Sequence, residues 1–305
     1  MMLTNFIYAA LETGLRARVR ERSGEFVEQA RSSFRHNPLG ALGLGIILAI
    51  VLVAVFAPQL ATYDPDKLNR EARLLPPSAE NWFGTDASGR DVYSCVVYGS
   101  RISLQVAVVV MLIATTVGSL LGAVAGFFGG LVDEILMRIT DVFLAFPALI
   151  LAMAVNAALG PGIGSAMLAV GFTWWPVYAR LVRSQVMSVR SHPYVEAAIC
   201  IGATRRRVLF RHILPNCAGP IIVQMTLDAG YVVLTVAGLS FVGLGAQPPS
   251  HEWGFMVSQG ANHILTQWWW STFPGLAICV LVVGLNLVGD FLRDGLDPRL
   301  SGTVV

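Results

Sequence analysis

Residues 102–127 read ISLQVAVVVMLIATTVGSLLGAVAGF, an unbroken run without one charged side chain. About 20 consecutive apolar residues in an α-helix span the ~30 Å hydrocarbon core of a bilayer. In lipid every backbone N–H and C=O must be satisfied internally, which only a helix or a closed barrel achieves. Barrel strands would be about 9–11 residues long and alternating, and this run is too long and too continuous for that. It is a transmembrane helix. Within it Gly118, Gly122 and Gly126 recur at every fourth position. Such small-residue spacing lets a neighbouring helix approach closely, and helix packing is the reading we prefer.

Five further runs of the same kind flank it, at 41–61, 137–158, 164–182, 217–243 and 270–292. Together they predict an all-α polytopic membrane protein with six transmembrane helices. The first run is preceded by some 40 residues and followed by Pro58, a poor cleavage junction, so it reads as a retained helix rather than a signal peptide. Pro147 is expected to kink the third span and Pro220 the fifth. Composition agrees. Of 305 residues 55% are hydrophobic and only 13% charged, and the mean hydropathy is +0.64. Soluble domains carry about 25% charged residues, so disorder, a coiled coil and an ordinary soluble enzyme are excluded.

Charge placement sets the topology. Most of the 21 basic residues fall in four places: the N-terminal stretch (Arg16, Arg18, Arg20, Arg22, Arg31, Arg35), a turn at 128–138 (Arg138), a loop at 180–211, and the C-terminus (Arg293, Arg299). These are assigned to the cytoplasm together with both termini. The segment 58–101 is then external, and the loops 159–163 and 244–269 hold no Lys or Arg. Interleaved acids and arginines from Glu12 to Arg35 are compatible with a helix lying on the inner surface or with a merely solvated one. Cys95, Cys200, Cys217 and Cys279 lack CxxC spacing, which argues against zinc, and Cys95 has no external partner for a disulfide.

Catalytic arrangements are not found. Gly238 to Gly243 is one residue too long for a nucleophile elbow. The five histidines form no i, i+4 pair; His251 and His263 share an outer loop, where metal contact is conceivable but ordinary exposed histidines are the preferred reading. Lys67, the one lysine, lies outside any Gly-rich phosphate loop, so ATP and Mg would be bound by another chain. No catalytic residue, metal site or cofactor is assigned. Asp228 is the one carboxylate deep in a span; it faces either a watery pathway, meeting a substrate ammonium, or a neighbouring helix.

The remaining signal is the loop 191–215. Pro193 suits a first helical turn and Glu196 its positive end. Gly202 permits a bend, and a second short helix over about 203–211 would be closed by Pro215. Two short helices on a cytoplasmic loop make a rigid knob. Glu196, Ala197, Ala198, Gly202, Leu214 and Pro215 match the pattern EAA, three residues, Gly, nine residues, Ile, one residue, Leu-Pro; the Ile position falls on His212, with Ile213 displaced by one. Arg205 to Arg207 within it, taken alone, would only set topology.

This stretch resembles the EAA loop of ABC-importer permeases. Phe83 to Asp91, Tyr98 to Leu104, Gly245 to Pro249 with Trp253-Gly254, and the tail Gly289 to Pro298 are similar to the C-type permease subunits of dipeptide, oligopeptide, glutathione or nickel importers. The resemblance covers about residues 38–300 and implies a type I importer permease fold in a bacterial inner membrane. It divides the chain into a cytoplasmic segment 1–38, a first helix with a long outer segment 39–101, a permease core 102–292, and a tail 293–305. It also implies an assembly with a homologous second permease, two cytoplasmic ATPases gripping the loop through Glu196, Gly202, Arg205 and their neighbours, and an external substrate-binding protein delivering di- or oligopeptides. Nickel or glutathione cargo is the alternative within that architecture. An ion-coupled secondary transporter is the alternative outside it, but that would show internal repeats and several intramembrane ionisable groups.

Overall fold

A computed structural model describes residues 38–296; the possible N-terminal surface helix and the end of the tail lie outside the described residues. The helices are α1 (Pro38–Val55), α2 (Ala57–Leu60), α3 (Val92–Phe128), α4 (Gly130–Leu144), α5 (Ala148–Leu159), α6 (Ile163–Arg190), α7 (Pro193–Cys200), α8 (Arg205–Arg207), α9 (Ala218–Phe241), α10 (Trp253–Ala261) and α11 (Trp269–Leu296). Among the described residues the β-structure is one isolated bridge, Thr85 with Asp91.

The glycine stripe of α3 decides the core. A Cβ on Gly118 would overlap the Trp175 carbonyl, one on Gly122 the Ala179 carbonyl, and one on Gly126 would sit 2.8 Å from the Arg183 carbonyl oxygen. All three partners lie on α6, so α3 and α6 run backbone to backbone, as small residues permit. Val106 and Val110 of α3, Val170, Trp174 and Tyr178 of α6, and Val232 and Val236 of α9 fill one core. On the far side α11 receives α1: Gly40 closes on Phe291, Gly43 on Leu287 and Gly284 on Ile46. The remaining face of α1 exposes Leu42, Leu48 and Leu52, side chains suited to lipid.

The spans depart from expectation in several respects. Four helical stretches are long and apolar enough to cross a membrane: Pro38–Val55, Val92–Phe128, Arg205–Phe241 and Trp269–Gly295. The expected third span is a broken pair, α4 and α5, bent by 91°, and counting it as one gives five. Pro147 sits at the break, where it removes an N–H and disfavours helical geometry in its predecessor. The turn expected at 128–138 shrinks to Gly129, and Arg138 rides on α4 beside Glu134.

The expected fourth span is the 28-residue helix α6. It is long enough, but from Trp174 onward it carries Trp175, Pro176, Tyr178, Arg180 and Arg183 and is too polar for that count. Arg180 and Arg183 therefore belong to this helix rather than to the cytoplasmic loop. Arg183 clamps Asp133 of α4, and Arg180 pairs with Asp141 of α4 at 2.6 Å. Pro220, expected to kink the fifth span, falls in the first turn of α9, where a missing N–H costs little.

Outside the spans, residues 83–91 form a braced loop. Asp86 accepts from the Ser88 and Arg90 amides at 2.7 and 2.9 Å and from Arg90 Nε at 2.6 Å. Asp91 caps α3 by accepting from the Ser94 amide. Phe83 stacks on Phe273 of α11 at 3.9 Å. The loop thus fixes the first turns of α3 and α11 to each other. Cys95, one turn into α3, is a buried free thiol against the Pro65 carbonyl.

Candidate functional site

The loop 191–215 is built as a capped knob. His192 lies extended before α7, Pro193 occupies its first position and Glu196 its first turn. Gly202 adopts φ 87°. Its amide donates to the Ile199 carbonyl at 2.9 Å, while the Ala203 amide donates to the Ala198 carbonyl at 3.1 Å. That pair of bonds is the Schellman closure, which needs a left-handed residue at the Gly202 position. Thr204 then accepts from the Arg207 amide to start α8, and the Tyr194 hydroxyl reaches the His212 carbonyl at 3.4 Å.

The second helix does not end at Pro215. From Arg205 the path continues through a π turn (Val208–Ile213) and a 3-10 turn (Leu214–Cys217) into α9. Pro215 sits in the first turn of the 3-10 segment, where it keeps the path helical instead of closing it. The knob is therefore continuous with a membrane helix.

Its two faces differ. Val195 of α7 and Val208, Leu209, Ile213 and Cys217 are buried against Ala123 of α3 and Val182, Val186 and Val189 of α6, and Ala198 of α7 is buried as well. Glu196, Ala197, Arg205 and Pro215 are exposed, and Leu214 is half-buried. Beside them Ile201 is 86% exposed and Ile199 53%. The matched motif thus splits into a buried root residue, Ala198, and an outward face, Glu196 with Ala197, with the exposed Gly202 at the turn that closes α7.

A second feature surrounds Asp228. Its carboxylate accepts from the Tyr178 hydroxyl at 2.9 Å and from Gln224 Nε2 at 3.0 Å. It lines an open cavity of about 530 Å³ with Trp174, Leu227, Tyr231, Leu234, Val282 and Asn286. Asp228 is thus both tied to α6 and set on the wall of a cavity. Gln224 was within reach of sequence reasoning, being four residues before Asp228 on one helix face. Trp174, Tyr178 and Asn286 come from other helices and left no such signal.

His251 and His263 are occupied separately. His251 Nε2 lies 3.1 Å from Asp66, and burial pushes its pKa below the ordinary value. His263 stacks on Trp270. Next to His251, Glu252 caps α10 by accepting from the Gly254 and Phe255 amides; burial pushes its carboxyl upward against those bonds.

Comparison with known proteins places this arrangement. Residues 118–302 match the family described as binding-protein-dependent transport system inner membrane component. Residues 26–77 match the N-terminal transmembrane domain of oligopeptide transport permease C. The chain is a C-type permease of this family. The probable D,D-dipeptide transport system permease protein DdpC of Escherichia coli K12 is 49% identical over 266 residues, 87% of this chain and 89% of that protein. The oligopeptide transport system permease protein OppC of Bacillus subtilis 168 is 39% identical, over 96% of each chain. Among solved structures, a chain of the MetNI methionine ABC transporter in an inward-facing form shares the fold, with a TM-score of 0.53 at 18% identity, over 66% of this chain and 96% of that one. The protein is accordingly a multi-pass component of the inner membrane.

Proposed function

We propose that this permease forms half of the translocation pathway of an ATP-driven importer of di- and oligopeptides. The observation that carries the reading is the near full-length, 49% identical relative named for D,D-dipeptide transport. A second, homologous permease would complete the pathway, an external binding protein would deliver the peptide, and two ATPases would hydrolyse ATP. In this reading α6 crosses the bilayer as the sixth span, kept from lipid by α3 and α9, and both termini are cytoplasmic. The division at 38, 101 and 292 marks the first helix with its outer segment off from the core and tail.

The ATPases would grip the outward face of the knob, Glu196, Ala197 and Arg205, with Ile199 and Ile201 as apolar contacts. Because the root is packed on α3 and α6 and the path from Arg205 runs straight into α9, displacement of the knob moves three membrane helices together. Gly202 and Ala198 set the angle of α7; Leu214 and Pro215 hold the helical path into α9.

The test is uptake of dialanine into proteoliposomes containing the assembled importer. Glu196→Lys reverses the charge on the gripped face without touching the buried root. We expect membrane insertion to persist and peptide uptake per ATP hydrolysed to fall at least about tenfold, as for loss of a charge-assisted contact. Normal coupling in this variant would defeat the docking assignment.

A further inference from the structure

We infer that the Asp228 cavity is a way-station for the α-ammonium group of the transported peptide, an assignment that rests on the proposed function and names its cargo contact. An acidic side chain in a membrane span is retained at a cost and faces a partner or a watery cavity. Here it does both. Tyr178 and Gln224 each donate one hydrogen bond to it, whereas a carboxylate has about four acceptor positions. Asp228 itself lines the cavity.

The surrounding groups select the ligand. Trp174 and Tyr231 stand with ring centroids 5.1 Å apart on the wall beside the carboxylate, and aromatic faces attract organic cations. Among the described residues no Lys or Arg lines the cavity, so the carboxylate there meets no competing cation of the chain. The indole Nε1–H of Trp174 is buried without a hydrogen bond of normal geometry, and the acceptor it is directed at is the Asp228 carboxylate itself. Trp174 as a whole is 9% exposed. A buried donor left short of a full bond is costly, and an acceptor entering beside Asp228 would complete it. Asn286 offers a further amide at the cavity rim. A peptide N-terminus supplies the matching pair in one unit: an ammonium for Asp228 and, three bonds along, a carbonyl oxygen for Trp174. A bare metal ion would satisfy only the first, and a neutral solute only the second.

The experiment uses the assembled importer in proteoliposomes with dialanine as the transported probe and n-butylammonium as a competitor. Asp228→Asn preserves an acceptor for Tyr178 but removes the charge; Asp228→Glu keeps the charge. Co-purification of the ATPases with each variant establishes assembly. We expect initial uptake to fall at least about tenfold in Asp228→Asn, the loss of a charge-assisted bond, and less than about threefold in Asp228→Glu. Butylammonium is expected to inhibit the wild type and to have no effect on the residual uptake of Asp228→Asn, while 1-butanol inhibits neither. Trp174→Phe, which keeps the ring and deletes the donor, should lose about threefold to tenfold. Equal uptake and equal butylammonium inhibition in wild type and Asp228→Asn would overturn the inference and leave the peptide-importer reading standing. Failure of the wild type itself to take up any di- or oligopeptide would overturn both.

Discussion

Replacing Gly122 by alanine adds one methyl group at the tightest point of the membrane core. That methyl would run into the Ala179 carbonyl oxygen, with the Ala179 C and Cα atoms at 3.0 Å, against an ordinary limit of 3.4 Å. The obstacle is the backbone of a helix that is itself enclosed, Ala179 being fully buried, so no side-chain rotation relieves it. The two helices must part by several tenths of an ångström, up to about one. Overpacking of this kind costs about 1–3 kcal/mol, and a gap of about 0.5–1 Å also forfeits a quarter to a half of each dispersion contact along the seam.

We expect Gly122→Ala to destabilise by about 2 kcal/mol. The assay is equilibrium unfolding in mixed micelles, with Gly238→Ala as the control. A methyl added at Gly238 would meet no atom within 4 Å, so that variant should be neutral or slightly stabilised by the better helix former. The displacement at Gly122 also moves Tyr178, the residue before Ala179, whose hydroxyl holds Asp228, so peptide uptake should decline with stability. If Gly122→Ala lies within about 0.5 kcal/mol of wild type, or is no worse than Gly238→Ala, the backbone-to-backbone contact argued for α3 and α6 is wrong.

Two further predictions concern the ends of the molecule. At Gly202 a methyl would meet no neighbour, but the φ of +87° is unfavourable for any residue with a Cβ; Gly202→Ala should cost about 1–2 kcal/mol locally. Its signature is faster hydrogen exchange at Ala203, whose amide closes the cap, together with uptake per ATP reduced several-fold, while the spans keep their protection. For His251, burial holds the pKa below 6.5 in the folded chain. As pH falls through that value the unfolded chain takes up a proton that the folded one refuses, so the contribution of His251 to stability is intact above pH 6.5 and is lost below it. The apparent Tm difference between wild type and His251→Gln should shrink between about pH 7.5 and about pH 5.5. A difference independent of pH would remove the titration argument.

Whatever depends on local composition and short spacing could be read from the chain alone. A run from Ile102 to Phe127 without a charge can only be a helix in lipid, and glycines at every fourth position can only form one stripe, so the class of fold and its closest seam were legible. The knob was legible for the same reason: Pro193, Glu196 and Gly202 act through the turn they occupy. Features that depend on neighbours far along the chain were fixed by packing. Whether Pro147 kinks a helix or breaks it by 91° is settled by what α4 and α5 pack against. α6 tolerates two tryptophans, a proline, Arg180 and Arg183 because α3 and α9 enclose its core-facing side and Asp141 and Asp133 receive those two charges. Asp228 gained its meaning only when Tyr178, fifty positions away, and Trp174 were brought beside it. A sequence shows that a charge lies in a span; the fold alone shows what it faces.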